Sequence, residues 1–278
     1  MARRIAFAVT IVGVALLIGA SLGSEVKPDA DAYWLAAMRI REGQDLYGAT
    51  YAHPVEIYRY SPWFAFAWVP LTLLPMEVAY AIWRALLVCG AVTAGMPLIL
   101  TRKPAGITLG ILATGLLLSN VRAANVTPLM LGALALALPT RGGPVVVGIA
   151  GSLKIYPLFL VAGYAAERRW RDAATAIAAA GILWLPALIG LHSYPLGFGG
   201  LSIFVFAPAA WPFAAVGVWL VIAWLAWRKS RWTWVAAGAS ISVTVPRIWL
   251  PDAAFTVVTA GRLWEVRRAG SGERTLDG

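Results

Sequence analysis

The sequence predicts an all-α polytopic membrane protein of about ten transmembrane or re-entrant helices, with an external amphipathic helix after the first span. Three observations predict it. Of the 278 residues 60% are apolar and 13% charged, with a mean hydropathy of +0.74, whereas a soluble domain carries about 25% charged residues. Apolar runs of helical length recur along the whole chain, and short Lys/Arg clusters lie between them. The net charge of +10 is therefore spread over connections rather than forming one basic face, which argues against nucleic acid as a partner. Cys89 is the single cysteine and forms no intrachain disulfide, and His53 and His192 lack metal-ligand spacing, so redox and zinc chemistry drop out.

Met1-Ala-Arg-Arg and the apolar residues 5–23 have the regions of a signal peptide, including Gly19, Ala20 and Ser21. An apolar run of 19 residues suits a full span, and more spans follow, so 5–23 reads as a retained first helix. The longest hydrophilic segment, Ser24 to Ser61, comes next. Within it residues 30–42 read as an amphipathic helix on the external membrane surface, with Tyr33, Ala36, Ala37 and Ile40 on one face and Gly43 ending it. Asp29, preceded by Pro28, reads as its N-cap. The apolar stretch from Pro62 to Pro75 is too short to span and predicts a re-entrant or interfacial helix.

Further spans are predicted near 76–100, 105–121, 125–139, 144–153, 156–166, 172–191, 211–227, 232–246 and 252–265. Glu77 and Arg84 enter the first of these, where Arg84 reads as snorkelling to the outer interface. The pieces flanking Lys154 are too short to cross about 30 Å of hydrocarbon, so they read as broken elements meeting inside the protein. Residues 1–270 form one transmembrane domain, with 24–75 as its external loop, and 271–278 a disordered cytoplasmic tail.

The basic clusters orient the spans. Arg3 and Arg4, Arg102 and Lys103, Arg141, Arg168 with Arg169 and Arg171, Arg228 with Lys229 and Arg231, and Arg262, Arg267, Arg268 and Arg274 fall on one side. These 15 basic residues face 5 acidic ones, while the other side holds 8 of each, so the whole net charge belongs to the cytoplasmic face. The N-terminus is then cytoplasmic. The 14 tryptophans, among them Trp63, Trp83, Trp170, Trp211, Trp227 and Trp232, read mostly as an interfacial belt.

Chemistry is expected on the external side. Arg59, Arg122 with Asn125, Lys154 and Arg247 are isolated polar residues in apolar surroundings, where ionisable groups are costly enough to suggest function. Lys154 is the sharpest, because it sits between broken helices where its side chain can enter a cavity. Arg and Lys suit a phosphate, Arg by bidentate bonding and Lys as a point charge. Snorkelling is the alternative for each. Asp29 is compatible with a general base as well as a cap, and Asp31 with a helper, a rival base or a ligand for a divalent cation. A metal is not otherwise indicated. Phosphate loops, nucleophile elbows and zinc-protease signatures are all missing from the sequence.

Asp29-x-x-x-Tyr33-x-x-Ala36-Ala37, Gly43-Gln44-Asp45-Leu46-Tyr47, Tyr60-Ser61-Pro62, Leu74-Pro75 and Trp83 occur in that order. They are followed by Arg122-Ala123-Ala124-Asn125-Val126-Thr127-Pro128-Leu129, by Leu153-Lys154-Ile155-Tyr156-Pro157-Leu158 and by a fainter Pro246-Arg247-Ile248-Trp249. This order resembles glycosyltransferase family 87. The resemblance implies a GT-C-type multi-helix fold and an inverting transfer of a sugar, mannose in the actinobacterial members, from a polyprenyl-phosphate donor to a lipid-linked or glycan acceptor on the non-cytoplasmic face of a bacterial plasma membrane. It implies no cofactor beyond the donor co-substrate. It assigns the catalytic base to Asp29 with Asp31 as competitor, the donor phosphate to Lys154, Arg122, Arg59 and Arg247, and substrate contacts to Tyr33, Tyr60, Asn125 and Trp249. The chain departs from the family pattern in Ala124-Asn125, where Gly-Gln is frequent, and in Asp252, the nearest polar residue where some members place a His after the late Trp. A transporter or flippase of lipid-linked sugars, and an inactive homologue, are the alternatives.

Overall fold

Helix α1, Pro28–Arg41, opens the part of the chain that the structure, a computed structural model, describes: residues 28–47, 58–189, 210–244 and 252–261. The predicted first span 5–23, Arg247, Trp249 and the tail lie outside the described residues. Proline suits the first helical turn, where the N–H has no intrahelical partner, and the acids Asp29 and Asp31 there and Arg39 and Arg41 in the last turn complement the helix dipole. Because the helix already includes Pro28, Asp29 lies in the first turn and is not the N-cap expected of it. Gly43 does end the helix, at φ +67°, with its N–H on the Ile40 carbonyl at 3.2 Å and the Gln44 N–H on Arg39 at 2.9 Å.

The face of α1 expected on the membrane surface is covered by protein instead. Tyr33 is fully buried, and its ring meets Phe64 at 4.9 Å, Trp68 at 5.4 Å and Trp83 at 5.9 Å between centroids. Phe64 and Trp68 belong to α2, Pro62–Trp68, which continues as a 3-10 turn over Val69–Leu73 and folds back against α1. The Phe64 and Trp83 rings stand edge to face with Tyr33, at 76° and 86°, an arrangement aromatic pairs favour. At the far end of α1, Arg41 donates to the Thr72 carbonyl at 2.9 Å and to its hydroxyl at 3.1 Å, tying the two elements together.

Among the described residues two helices are long and apolar enough to cross a membrane: α3, Met76–Ile99, and α4, Pro104–Arg122. Shorter helices follow: α5, Thr127–Ala137; α6, Gly143–Leu153; α7, Val161–Ala166, entered through a 3-10 turn at Tyr156–Leu160; and α8, Trp170–Trp184, prolonged by a 3-10 turn at Leu185–Ile189. Then come α9, Trp211–Trp227, α10, Trp232–Thr244, and α11 over residues 253–261. The described residues are helical or irregular, with no strand among them. The break at Lys154 is as expected, and α8 begins two residues before the predicted span.

Helix α3 packs on both α4 and α5, α6 packs on α8, and α9 on α10. The α3–α5 crossing is closed by glycines. A methyl on Gly132 would stand 2.6 Å from the Gly90 carbonyl oxygen, and one on Gly90 the same distance from the Leu129 Cα. Both obstacles are backbone and cannot rotate away. Gly132→Ala is therefore expected to destabilise the fold by about 1–3 kcal/mol despite the better helix propensity of alanine. Thermal unfolding in detergent tests this, and an unchanged or raised midpoint would mean that the crossing is looser than it looks.

Helices α3, α7 and α9 end in the same way. Arg102, Arg168 and Lys229 take left-handed conformations at φ 56°, 60° and 52°, a region glycine normally fills. For the last two, the next N–H reaches back to close the turn, Arg169 to Tyr164 and Ser230 to Leu225, each at 2.9 Å. A cation at a helix C-terminus offsets part of the backbone cost by facing the negative end of the dipole. The helix ends Leu98, Leu138 and Gly261 line one small cavity, a side chain at Gly143 would meet the Tyr164 hydroxyl and the Ala137 carbonyl, and Trp234 early in α10 donates to Glu167 at 2.7 Å, which places these basic connections at one end of the bundle.

The tryptophans divide. Trp170, Trp227 and Trp232 stand 59%, 75% and 53% exposed at helix ends, as an interfacial belt requires. Trp83 is buried and donates to the Ala124 carbonyl at 2.8 Å, and the half-buried Trp63 donates to the Ser152 hydroxyl at 2.8 Å, so neither belongs to a belt. Arg84 is likewise buried rather than snorkelling. Helix α9 presents the opposite pattern: an apolar sequence in which Ile222 alone is buried, leaving Phe213, Leu220 and Trp224 outside.

Candidate functional site

At the other end of the bundle the chain turns tightly between α4 and α5. Ala124 adopts φ 56°, and the Asn125 N–H returns to the Asn120 carbonyl at 3.1 Å. The turn aims Asn125 across the start of α5, where its Oδ1 accepts the Thr127 N–H at 3.0 Å and the Thr127 hydroxyl at 2.7 Å, capping a helix end that would otherwise leave N–H groups unsatisfied. The Val126 N–H is taken by the Tyr33 hydroxyl at 3.3 Å. The start of α5 is thus capped by side chains from two different parts of the chain.

Lys154 arrives from the break after α6. Its backbone is extended, at φ −140° and ψ 131°, because α6 ends at Leu153, whose carbonyl Pro157 has no N–H to meet, and the chain turns before restarting at Tyr156 with that proline in the first turn. The ammonium donates to Asn125 Oδ1 at 3.0 Å and to Thr127 Oγ1 at 2.7 Å and lies 5.7 Å from the centre of the Tyr156 ring. The Tyr156 hydroxyl reaches Asp252 at 3.2 Å, at the start of α11. Asp252 is 5% exposed.

Asp29 joins from α1, its backbone N–H held by the Ala123 carbonyl at 3.2 Å. The Tyr60 hydroxyl donates to Asp29 Oδ1 at 3.4 Å, and accepts from Tyr33 at 3.0 Å and from Asn125 Nδ2 at 3.3 Å. Burial first, then the neighbouring Tyr60 and Asp29, hold the Tyr33 hydroxyl well above the usual phenol range, so it remains a donor. The arrangement sets a half-exposed carboxylate and an ammonium at opposite ends of one polar cluster, with neutral hydrogen-bonding groups between. That is the equipment for accepting a proton at one end and stabilising an anion at the other.

Comparison of the chain with protein-family models, curated proteins and solved structures finds no match.

Of the residues anticipated from sequence, Asp29, Tyr33, Tyr60, Asn125 and Lys154 meet in this cluster. Asp31 does not. Two positions along a helix turns a side chain by about 200°, and Asp31 accepts the Tyr80 hydroxyl of α3 at 2.6 Å. Arg122 stands exposed at the end of α4, and Arg59 is half-buried beside Tyr60 in the chain. Asp31→Asn keeps an acceptor oxygen for Tyr80 and is expected to change stability by no more than about 1 kcal/mol. Unfolding midpoints of Asp31→Asn and Tyr80→Phe measure this, and a severe loss in the first would give Asp31 a role its geometry does not suggest.

Thr127, Tyr156 and Asp252 were not anticipated as site residues. Asp252 carried a signal, being a lone acid at the edge of an apolar run. Thr127 and Tyr156 carried none beyond standing two residues after Asn125 and Lys154.

Proposed function

We propose that the chain is a polytopic membrane glycosyltransferase of the GT-C type, threading the bilayer about ten times and transferring a sugar from a polyprenyl-phosphate donor to a lipid-linked or glycan acceptor at its non-cytoplasmic end. The observation that carries this reading is the single cluster that unites Asp29 with Lys154 through Tyr60 and Asn125. The ordered motifs resembling glycosyltransferase family 87 support the choice of chemistry. The apolar helix α9, with Ile222 alone buried, supports the bilayer, since a helix apolar all round needs an apolar solvent. The basic connections at the opposite end support an external site.

In this reading the proton of an acceptor hydroxyl passes to the Asp29 carboxylate as the oxygen attacks the anomeric carbon. The bond from that carbon to the phosphate oxygen breaks, and the leaving phosphate takes the electron pair. Lys154, with the positive end of α5 beside it, stabilises the charge. One displacement inverts the anomeric centre. A lipid donor and a lipid acceptor are both concentrated and oriented by the bilayer, which supplies part of the catalysis before any side chain acts.

The test is reconstitution of the purified chain in proteoliposomes with polyprenyl-phosphate sugars, mannose first, and lipid acceptors. A new glycosidic bond of inverted configuration is expected. Movement of the sugar lipid across the bilayer without a new bond would make the chain a transporter, and neither event under any donor would remove the transferase reading.

A further inference from the structure

A backbone N–H at one end and a carboxylate at the other fix the polarity of the whole cluster. A backbone N–H can only donate, so the Thr127 N–H requires the Asn125 oxygen, and not its nitrogen, to face Thr127 and Lys154. The Asn125 amide hydrogens must then face Tyr60. At the other end the Asp29 carboxylate can only accept, so Tyr60 gives it its hydrogen and accepts in turn from Tyr33, whose oxygen holds the Val126 N–H. With donors arriving from both Asn125 and Tyr33, Tyr60 directs its own hydrogen to Asp29. Every hydrogen from Lys154 to Asp29 therefore points the same way, ammonium to amide oxygen, amide nitrogen to phenol, phenol to carboxylate.

We propose that Asn125 is a positioning residue that couples the Lys154 ammonium to the Asp29 carboxylate through Tyr60, so that charge at the phosphate end sets the basicity of the carboxylate at the other. This deepens the transferase reading and rests on it for its purpose. A chain of aligned donors is polarised cooperatively, each bond strengthening the next. An anion that draws Lys154 away from Asn125 weakens the pull on Tyr60, and its hydrogen bond to Asp29 loosens. Loss of that donor makes Asp29 the stronger base when the donor phosphate is bound. The link from Tyr60 to Asp29 is the longest of the series at 3.4 Å, which leaves it room to tighten or release.

The groups that face Asp29 bear on any titration of it. Tyr60 and Tyr33 are its hydroxyl neighbours, and Asp31 on its own helix turns to Tyr80. Arg59 precedes Tyr60, and Arg122 stands exposed just before Ala123, whose carbonyl holds the Asp29 N–H. Of these the test alters Tyr60 alone, and only in the alternative background.

The test is a double-mutant cycle read on Asp29 itself, by infrared titration of its carboxyl band in nanodiscs, the band being identified by difference against Asp29→Asn. Lys154→Met is expected to raise the Asp29 midpoint by about one pH unit. In the background of Asn125→Leu the same change is expected to produce half that shift or less. Tyr60→Phe, which conserves the ring and cuts the chain one link later, should uncouple equally and stands in if Asn125→Leu does not fold. A shift retained by more than half in either background, or no shift from Lys154→Met in the first place, would overturn the coupling. The readout needs no transfer, so a coupled but inactive chain would sink the transferase reading alone, and an active but uncoupled one this inference alone.

Discussion

Asp29→Asn is expected to lower sugar transfer by about 10²–10⁴-fold with little change in the unfolding midpoint, since that is the range a positioned general base contributes. The variant retains the side-chain oxygen that accepts the Tyr60 hydrogen and the backbone N–H bonded to Ala123. It loses only the capacity to take a proton. Initial rates and KM for donor and acceptor should therefore separate, kcat falling far more than KM rises, because the amide keeps an acceptor oxygen for the hydroxyl but cannot deprotonate it. Full transfer by Asp29→Asn would place the base elsewhere. The companion Asp31→Asn should be nearly silent, since Asp31 serves Tyr80 on α3.

Lys154→Ala is expected to cost about 10²–10³-fold, the scale found when one preorganised donor is removed from a developing negative charge. Here too the surrounding fold should survive. Without the ammonium, Asn125 Oδ1 still accepts the Thr127 N–H and hydroxyl, so the cap on α5 remains. Lys154→Arg should recover only part of the loss, because a planar guanidinium does not reproduce the two bonds of 3.0 Å and 2.7 Å made by a compact ammonium. Single-turnover rates with saturating donor measure the effect on the chemical step. A loss confined to donor KM, with the rate of the bound complex unchanged, would make Lys154 a binding residue and nothing more.

Local signals in the sequence were good guides wherever one residue type decides the backbone. Gly43 ends α1 because a left-handed position there favours glycine, and the interruption at Lys154 follows from two apolar pieces too short to continue and a proline at 157. Apolar run length likewise gave α9, whose bounds coincide with the predicted span. Partner choice was the harder part. The sequence puts Asp29 ahead of Asp31 only through the family resemblance, and it is the packing of α1 against α2 and α3 that turns one to Tyr60 and the other to Tyr80. Arg84 and Trp83 resembled interface anchors because composition cannot tell a lipid-facing position from one facing another helix. The face of α1 was read as resting on lipid for the same reason. Asp252 depended on a contact spanning 96 residues, which no local pattern records.

That last contact sets a timetable. A chain made at about 5–20 residues per second acquires its elements in order, so Asn125, Tyr60 and Lys154 are in place while the partner of Tyr156 is still to be synthesised, 96 residues later. During that interval the Tyr156 side of the site lacks the carboxylate that its hydroxyl meets in the folded chain. Arrival of α11 closes it by burying Asp252. The site is therefore complete only once α11 has been made, well after the residues of its polar cluster.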